Sequence, residues 1–549
     1  MENSTENRTT ENGSGKAYIV GSGAAALASA AYLIRNAGFT AENIHILTDR
    51  DVIADAFKRG PMEGGSLGAG TEPEGFVSPG GRMFEKHYEC MFDLLKSIPS
   101  VEAPELSVAE DIFEFNEKVV SDAKCRLLKN GKKIDVSSYG LSLRDQLDML
   151  HLVLDGKGKV DEKIEDWFSK EFFKTNFWYL WTTSFSMLPQ DNVDELRRYF
   201  LRFIHLLPGF NRYLGILRTK YNQYDSLIRP MVSWLQSHNV NFDVGAKVTD
   251  IEFEENEGKR TATAIVYHCG EREERIEHRV ENPGYVFATL GSMVDNTTIG
   301  STTKPAPAPP KEPGTSWQLW RNIAKGRPEF GNPEVFLDRR SETTWPSFTV
   351  TLDNPKFFDY MEKFTGNKAG TGGLVSFTDS NWGMSIVLFH QPFYIGQDES
   401  QFIFWGDGLS PFDKGNRVKK PMVECTGREM LEEVAHHLKL TDAQYADMFG
   451  GAVSIPALMP YITSQFQTRK PGDRPAVIPE GATNFAFMGQ FCEIEDDVVF
   501  TVEYSFRAAA MAVYGLLNKD DDWDWKVPAM YEGEDNPIVD FKALLAILR

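Results

Sequence analysis

Residues 18–26 read Tyr-Ile-Val-Gly-Ser-Gly-Ala-Ala-Ala, an apolar run that closes on Gly21-x-Gly23-x-x-Ala26. A helical stretch rich in small residues, 27–36, follows at once. A second apolar run, Ile44-His-Ile-Leu47, comes next. Strand, tight glycine turn, helix, strand is the order of a dinucleotide-binding βαβ unit. A side chain at Gly21 or Gly23 would keep backbone N–H groups away from a pyrophosphate. The helix start presents unpaired donors and a partial positive charge to that anion. The same glycines also suit a plain turn into a helix, so the chemistry depends on context. The acidic residue expected at the end of the second strand would fall on Thr48. Asp49 stands one place later, on the opposite face if the strand continues. Ribose binding by Asp49, by Thr48 or by neither stays open.

Context favours FAD over a free nicotinamide, because the unit opens the chain and 549 residues far exceed one nucleotide domain. The net charge of −21 argues against nucleic-acid binding, which needs a basic face, and against broad attraction to anionic membranes, though a local patch could still act. Cys90, Cys125, Cys269, Cys425 and Cys492 are scattered, odd in number and without a CxxC pair, which speaks for reduced thiols rather than a disulfide framework or a metal motif. The polar opening residues do not resemble a signal peptide, and no apolar run reaches membrane-spanning length. The expectation is a soluble, cytoplasmic protein.

Residues 1–15 are expected to be disordered. The glycine-rich stretch 60–81 reads as a long functional loop, and helical periodicity returns at 83–97. Residues 160–207 are helical and aromatic, 241–268 alternate as strands, 300–314 form a surface linker, and 334–408 are again rich in β-branched and aromatic residues. Phe485 to Met488 and the helix from Thr501 to Leu517 repeat the opening pattern. The expected fold is α/β and two-lobed. A discontinuous Rossmann-like lobe takes 16–150, 225–300 and 450–518. A mixed α+β substrate lobe takes 151–224 and 301–449, and a small C-terminal helical segment takes 519–549. The apolar residues of 541–548 fit a core-packing helix, a dimer contact or a lipid-surface anchor.

Several segments, in this order, resemble the oleate hydratases, FAD-dependent fatty-acid hydratases also called myosin-cross-reactive antigen. They are Gly64-Gly-Ser-Leu-Gly-Ala-Gly70, Gly80-Gly-Arg82 with His87-Tyr-Glu-Cys90, Asn176-Phe-Trp-Tyr-Leu-Trp181, and Arg197-Arg-Tyr199 with Arg202-Phe-Ile-His205. Further on come Tyr221-Asn-Gln-Tyr-Asp-Ser226, Asp379-Ser-Asn-Trp382, Met459-Pro-Tyr-Ile-Thr463, Gly489-Gln-Phe-Cys-Glu-Ile494 and Val499-Phe-Thr-Val-Glu-Tyr504. The resemblance runs from about 16 to about 517. It implies addition of water across the cis double bond of a long unsaturated fatty acid such as oleate or linoleate, with FAD needed but no net redox change.

An isolated alkene is a poor base. Its hydration needs a proton donor at one carbon and a positioned water at the other, in a site sheltered from bulk solvent. The resemblance puts the donor at Tyr199 and a polar partner at Gln223. Its water-activating glutamate falls on Met83, which cannot accept a proton, so Glu85 or Glu89 is the nearby substitute. On a helix over 83–97 these two would share one face. The alternatives are water positioned without that carboxylate, or an altered activity. The resemblance places Gly21, Gly23, Ala26, Gly64, Gly65, Ser66, Gly70, Arg82, Val248, Ser292, Gly489, Gln490 and Phe491 at the flavin, with Asp49 as a further candidate. The aromatic Trp181 is a candidate for the lipid channel. The family's Thr and Asn for the fatty-acid carboxylate are replaced in Ile386-Val-Leu-Phe-His390-Gln391, which keeps His390 and Gln391. A lipid oxidoreductase, a double-bond isomerase and a catalytically altered fatty-acid-binding flavoprotein are the rival readings.

Overall fold

The computed structural model describes residues 15–49, 75–80, 83–269, 274–282, 284–518 and 523–530. A five-stranded parallel sheet carries the nucleotide-binding pattern. Its order is Phe485–Met488, Gly284–Thr289, Lys16–Val20, Ile44–Thr48, Asn241–Val244. The central strand is buried on both faces, as its unbroken apolar run requires. Val20 pairs with Leu47 on one side and Ala288 on the other, so three strands end together beside the first glycine turn.

The helix Ala24–Arg35 starts at that turn and is buried from Ala24 to Leu33. It packs against the helix Val502–Leu517, whose Ala508, Ala509, Ala510 and Ala512 are fully buried. Alanines on both helices let the backbones approach closely. Helix Glu89–Leu95 is tied to the same pair: Glu503 accepts the N–H groups of Cys90 at 3.0 Å and Met91 at 2.8 Å, and Arg507 donates at 2.9 Å to the oxygen that Cys90 also reaches. Burial dominates and pushes the Glu503 carboxyl up to about 7.

A separate three-stranded antiparallel sheet is formed by Lys247–Asn256, Lys259–Cys269 and Glu274–Arg279. The second large layer has eight strands in the order Thr298–Ile299, Val453–Met459, Trp345–Leu352, Phe402–Gly408, Met384–Leu388, Val375–Phe377, Leu127–Lys129, Lys132–Lys133. Leu127–Lys129 and Val453–Met459 lie within ranges expected in the nucleotide lobe, yet they pair into this second sheet, because their neighbours are Val375–Phe377 and Trp345–Leu352.

The expected helix over 83–97 is not continuous. Phe84–Glu85 pairs antiparallel with Ile216–Leu217, and the helix begins only at Glu89. Glu85 and Glu89 therefore do not share a helical face. The aromatic stretch 160–207 is helical in pieces, chiefly Asn176–Phe185 and Val193–Arg202, followed by the 3-10 segment Ile204–Arg212. Trp525 packs on Tyr32 at 5.3 Å, which brings 523–530 against the nucleotide lobe; 541–548 lies outside the described residues. Among the described residues no helix is long and apolar enough to cross a membrane.

Candidate functional site

A cleft of about 1170 Å³ opens at the carboxyl ends of the parallel strands, the expected place for a ligand of such a sheet. Gly21, Gly23, Asp49, Val248, Ser292, Gly489, Gln490 and Phe491 all line it. Gly21 has φ +108° and Gly489 has φ +92°, conformations that side chains rarely adopt. A Cβ on either would press on Thr289, at 3.2 Å and 3.1 Å respectively. The cradle is thus made of backbone. Thr289 Oγ1 is buried there without a hydrogen-bond partner among the described residues, a polar group left for a ligand.

Thr48 Oγ1 lies 2.9 Å from Ser22 Oγ, while Asp49 accepts a hydrogen bond from Thr315 at 2.9 Å. Both strand-end residues thus belong to the cleft. Ala26 is fully buried behind it, where only a small residue allows helix and strand to pack closely. Gly64, Gly65, Ser66, Gly70 and Arg82 lie outside the described residues.

Two further cavities adjoin the cleft. One, of about 670 Å³, is lined by Met83, Arg218, Asn222, Gln223, His390 and Trp405 among aromatic and aliphatic groups. The other, of about 740 Å³, is lined by Met83, Glu85, Tyr199, Phe185, Phe203 and Phe500 with other largely apolar groups. Gln223 lines the cleft and the first cavity, Met83 both cavities, and Phe500 the cleft and the second. Met83, Tyr199, Gln223 and His390, far apart in sequence, therefore border neighbouring spaces that share walls.

Tyr199 is 0% exposed. Its hydroxyl oxygen accepts the Phe500 N–H at 2.7 Å, which leaves its own proton to be donated. Burial first, then Glu195, raise this hydroxyl well above its ordinary value, so it stays protonated at neutral pH. Its helix is fixed by buried ion pairs. Glu195 sits 3.1 Å from Arg469 and 3.0 Å from Arg474, and Arg198 sits 2.6 Å from Glu493. Burial opposes ionisation of Glu493, yet Arg474, Arg469 and Arg198 push it down to about 2. These pairs anchor the Tyr199 helix to the turn after Phe491.

Glu85 is 1% exposed and sits in a polar knot. One carboxylate oxygen is 2.5 Å from His87 Nδ1 and 3.1 Å from His205 Nε2; the other accepts the His87 N–H at 3.0 Å. Arg202 Nη1 stands 3.6 Å away. Burial works against the charge on Glu85, but His205, His87 and Arg202 outweigh it and hold the carboxyl below its ordinary range. Burial also holds the His87 imidazole low, in spite of Glu85. The carboxylate is ionised at neutral pH and linked to two imidazoles, an arrangement that can hold and move a proton.

Glu89 is half-buried at a helix start and lines none of the three spaces. Trp181 also lines none; it is core, stacked on Phe177 at 5.4 Å and tilted against Phe185 at 4.7 Å. Gln391 braces its own loop, donating to Phe389 and Ile403 carbonyls. Sequence reading missed Arg218, Trp405 and Thr289, and it missed His87, His205 and Arg202 as partners of Glu85. Arg202 and His205 did carry a signal, since both stand in the resembling segment Arg202-Phe-Ile-His205.

Comparison with known proteins is consistent along the chain. Residues 14–514 match the MCRA family. Over 514 residues the chain is 38% identical to an oleate hydratase of Streptococcus pyogenes serotype M49 (strain NZ131), spanning 91% of this chain and 85% of the relative. A linoleate hydratase of Lactiplantibacillus plantarum is 30% identical over 537 residues, spanning 91% and 93%. Among solved structures, cyclohexylamine oxidase from Brevibacterium oxydans IH-35A covers 92% of this chain and 99% of its own, at 11% identity and a TM-score of 0.48, too distant a likeness to bear on chemistry. On the family match and the two relatives, the chain belongs to the MCRA family.

Proposed function

We propose that this protein is an FAD-dependent hydratase that adds water across the cis double bond of a long unsaturated fatty acid, such as oleate or linoleate, to give a hydroxy fatty acid. The observation that carries the reading is the convergence of Tyr199 and Glu85 on one largely apolar cavity that adjoins the dinucleotide cleft. The hydratase relatives supply the substrate class.

The cleft suits FAD. Gly21, Gly23 and the start of helix Ala24–Arg35 would hold its pyrophosphate, Asp49 its ribose, Val248 its adenine side and the Gly489 to Phe491 turn its ring system. Bound there, FAD supplies organisation of the neighbouring cavity rather than electrons.

The chain's own groups then divide the work. Tyr199 Oη gives its proton to one alkene carbon. Water forms the new C–O bond at the other, and the proton it loses passes to Glu85 and its imidazole partners. A raised hydroxyl pKa makes Tyr199 a reluctant acid, so proton transfer and water attack must run together. The mostly apolar lining excludes competing water. Met83 removes the carboxylate expected nearest the alkene and leaves Glu85, in the same cavity, as the base.

FAD-loaded protein given oleate in isotopically labelled water, without reductant or oxygen, tests this. The expected product is heavier than oleate by one labelled water. An isomer of unchanged mass, or a product lighter by two hydrogens, supports the rival flavin chemistries. Tight fatty-acid binding with no product supports the binding-protein reading that Met83 favours.

A further inference from the structure

The cavity beside Gln223 has an electrostatic peculiarity. Arg218, His390 and Trp405 line it, and each carries a buried nitrogen with no hydrogen-bond partner among the described residues: Arg218 Nη2, His390 Nδ1 and Trp405 Nε1. Native proteins leave few such groups unpaired, because an unmet buried donor costs about 1–3 kcal/mol and a charged one more. Three around one space point to a ligand that accepts hydrogen bonds.

The charge points the same way. Arg218 Nη1 donates to the Gly370 carbonyl at 2.6 Å, and no carboxylate among the described residues pairs with this guanidinium. A second cation stands close by. Arg126 lies over the same Tyr213 ring at 3.4 Å, with Arg218 at 5.9 Å, and among the described residues donates to the Leu374 and Phe210 carbonyls and the Ser184 hydroxyl. Burial, with Arg126 adding to it, lowers the Arg218 guanidinium to about 10. A buried and a half-buried guanidinium, neither with an acidic partner among the described residues, make a local anion seat in a chain of net charge −21. The rest of the lining is mainly Phe115, Leu374, Val387, Leu388, Phe389 and Phe393, which suits a hydrocarbon chain. The stretch in which the family's Thr and Asn were expected is apolar here, so a head group needs a partner from another segment.

We propose that Arg218 is the counter-ion of the substrate's ionised carboxylate, seconded by Trp405 and His390, and that it makes this protein select free fatty acids over their neutral esters. The proposal rests on the hydratase reading for its substrate, but binding tests it without turnover. Arg218 holds the acid end, the chain passes Met83, and the double bond reaches the cavity of Tyr199.

Three FAD-loaded proteins, wild type, Arg218→Met and Arg218→Lys, are compared for binding of stearate, which has no alkene, and of methyl stearate. Kinetics with oleate and methyl oleate run alongside. Wild type is expected to favour acid over ester. Arg218→Met should lose about 10- to 100-fold in stearate affinity, the scale of a charge-assisted hydrogen bond, with ester binding unchanged. Its loss with oleate should fall on KM rather than kcat. Arg218→Lys should recover part of the preference, since it keeps the charge without the planar fork. Should Arg218→Met fail to fold or to hold flavin, Trp405→Phe takes its place, with a several-fold loss expected for acid only. An unchanged acid-to-ester ratio in a folded, flavin-loaded variant overturns the proposal. Arg218-dependent stearate binding without hydration of oleate upholds the seat and overturns the hydratase reading. Hydration with an Arg218-independent ratio does the reverse.

Discussion

The dinucleotide cleft and the two cavities behind it are built by opposite means. Backbone makes much of the cleft: glycine turns at Gly21 and Gly489 and the start of one helix. Side chains make the cavities, and these come from segments far apart in sequence, Met83 to Glu85, Tyr199 to Arg218, Gly370 to Trp405, and Phe500. A backbone cradle tolerates side-chain change outside it and fails only when a Cβ intrudes. A side-chain cavity has the reverse weakness: one atom replaced alters the chemistry and leaves the fold standing.

That contrast can be broken by experiment. The largest effect should come from Tyr199→Phe, which removes the proton donor and should cut turnover by about 10²–10⁴-fold with flavin content retained. Loss of the hydrogen bond that the Phe500 N–H gives this hydroxyl should also cost about 1 kcal/mol of stability, seen as a lower unfolding midpoint. Glu85→Gln should cut turnover about a hundredfold, again with flavin bound. Gly21→Val should act on the other region. Its flavin affinity should fall about tenfold or more, and turnover should recover at saturating FAD. If Gly21→Val stays inactive with full flavin, or Tyr199→Phe loses its flavin, the division between cleft and cavity is wrong.

Two smaller effects sharpen it. The folded protein holds the Glu503 proton up to about pH 7, whereas an exposed glutamate releases it near 4.5. Folded protein therefore binds more protons than unfolded between those values, and this group's contribution to stability falls as pH rises through them. Glu503→Gln should flatten that part of a plot of unfolding midpoint against pH while turnover at neutral pH holds. Glu89→Gln, outside all three spaces, should change turnover by no more than about twofold; an effect as large as that of Glu85→Gln would move the base to Glu89.

The same contrast explains what could be read from sequence. The first βαβ unit was legible because period and turn chemistry are local: an apolar run, two glycines, small helical residues and a second run lie within residues 18–47. Cofactor positions downstream, such as Val248, Ser292 and Gly489, came through resemblance and do line the cleft. The helix expected over 83–97 is broken because Phe84 pairs with Leu217 and Glu85 with Ile216, a contact between segments far apart in sequence and invisible to periodicity. Trp181 looked like channel and is core, since an aromatic residue has the same signature in either place. Arg218 gave no signal at all. An arginine in an irregular stretch reads as a solvated surface until its neighbours are known.

Position of the bound lipid is the most direct evidence to seek. In a crystal of the FAD-loaded Tyr199→Phe protein soaked with oleate, the carboxylate should rest against Arg218 and the double bond should lie between Met83 and the ring at position 199, within hydrogen-bonding reach of where the hydroxyl stood. Oleate seated outside these cavities, or running with its alkene away from position 199, would contradict a hydration site there.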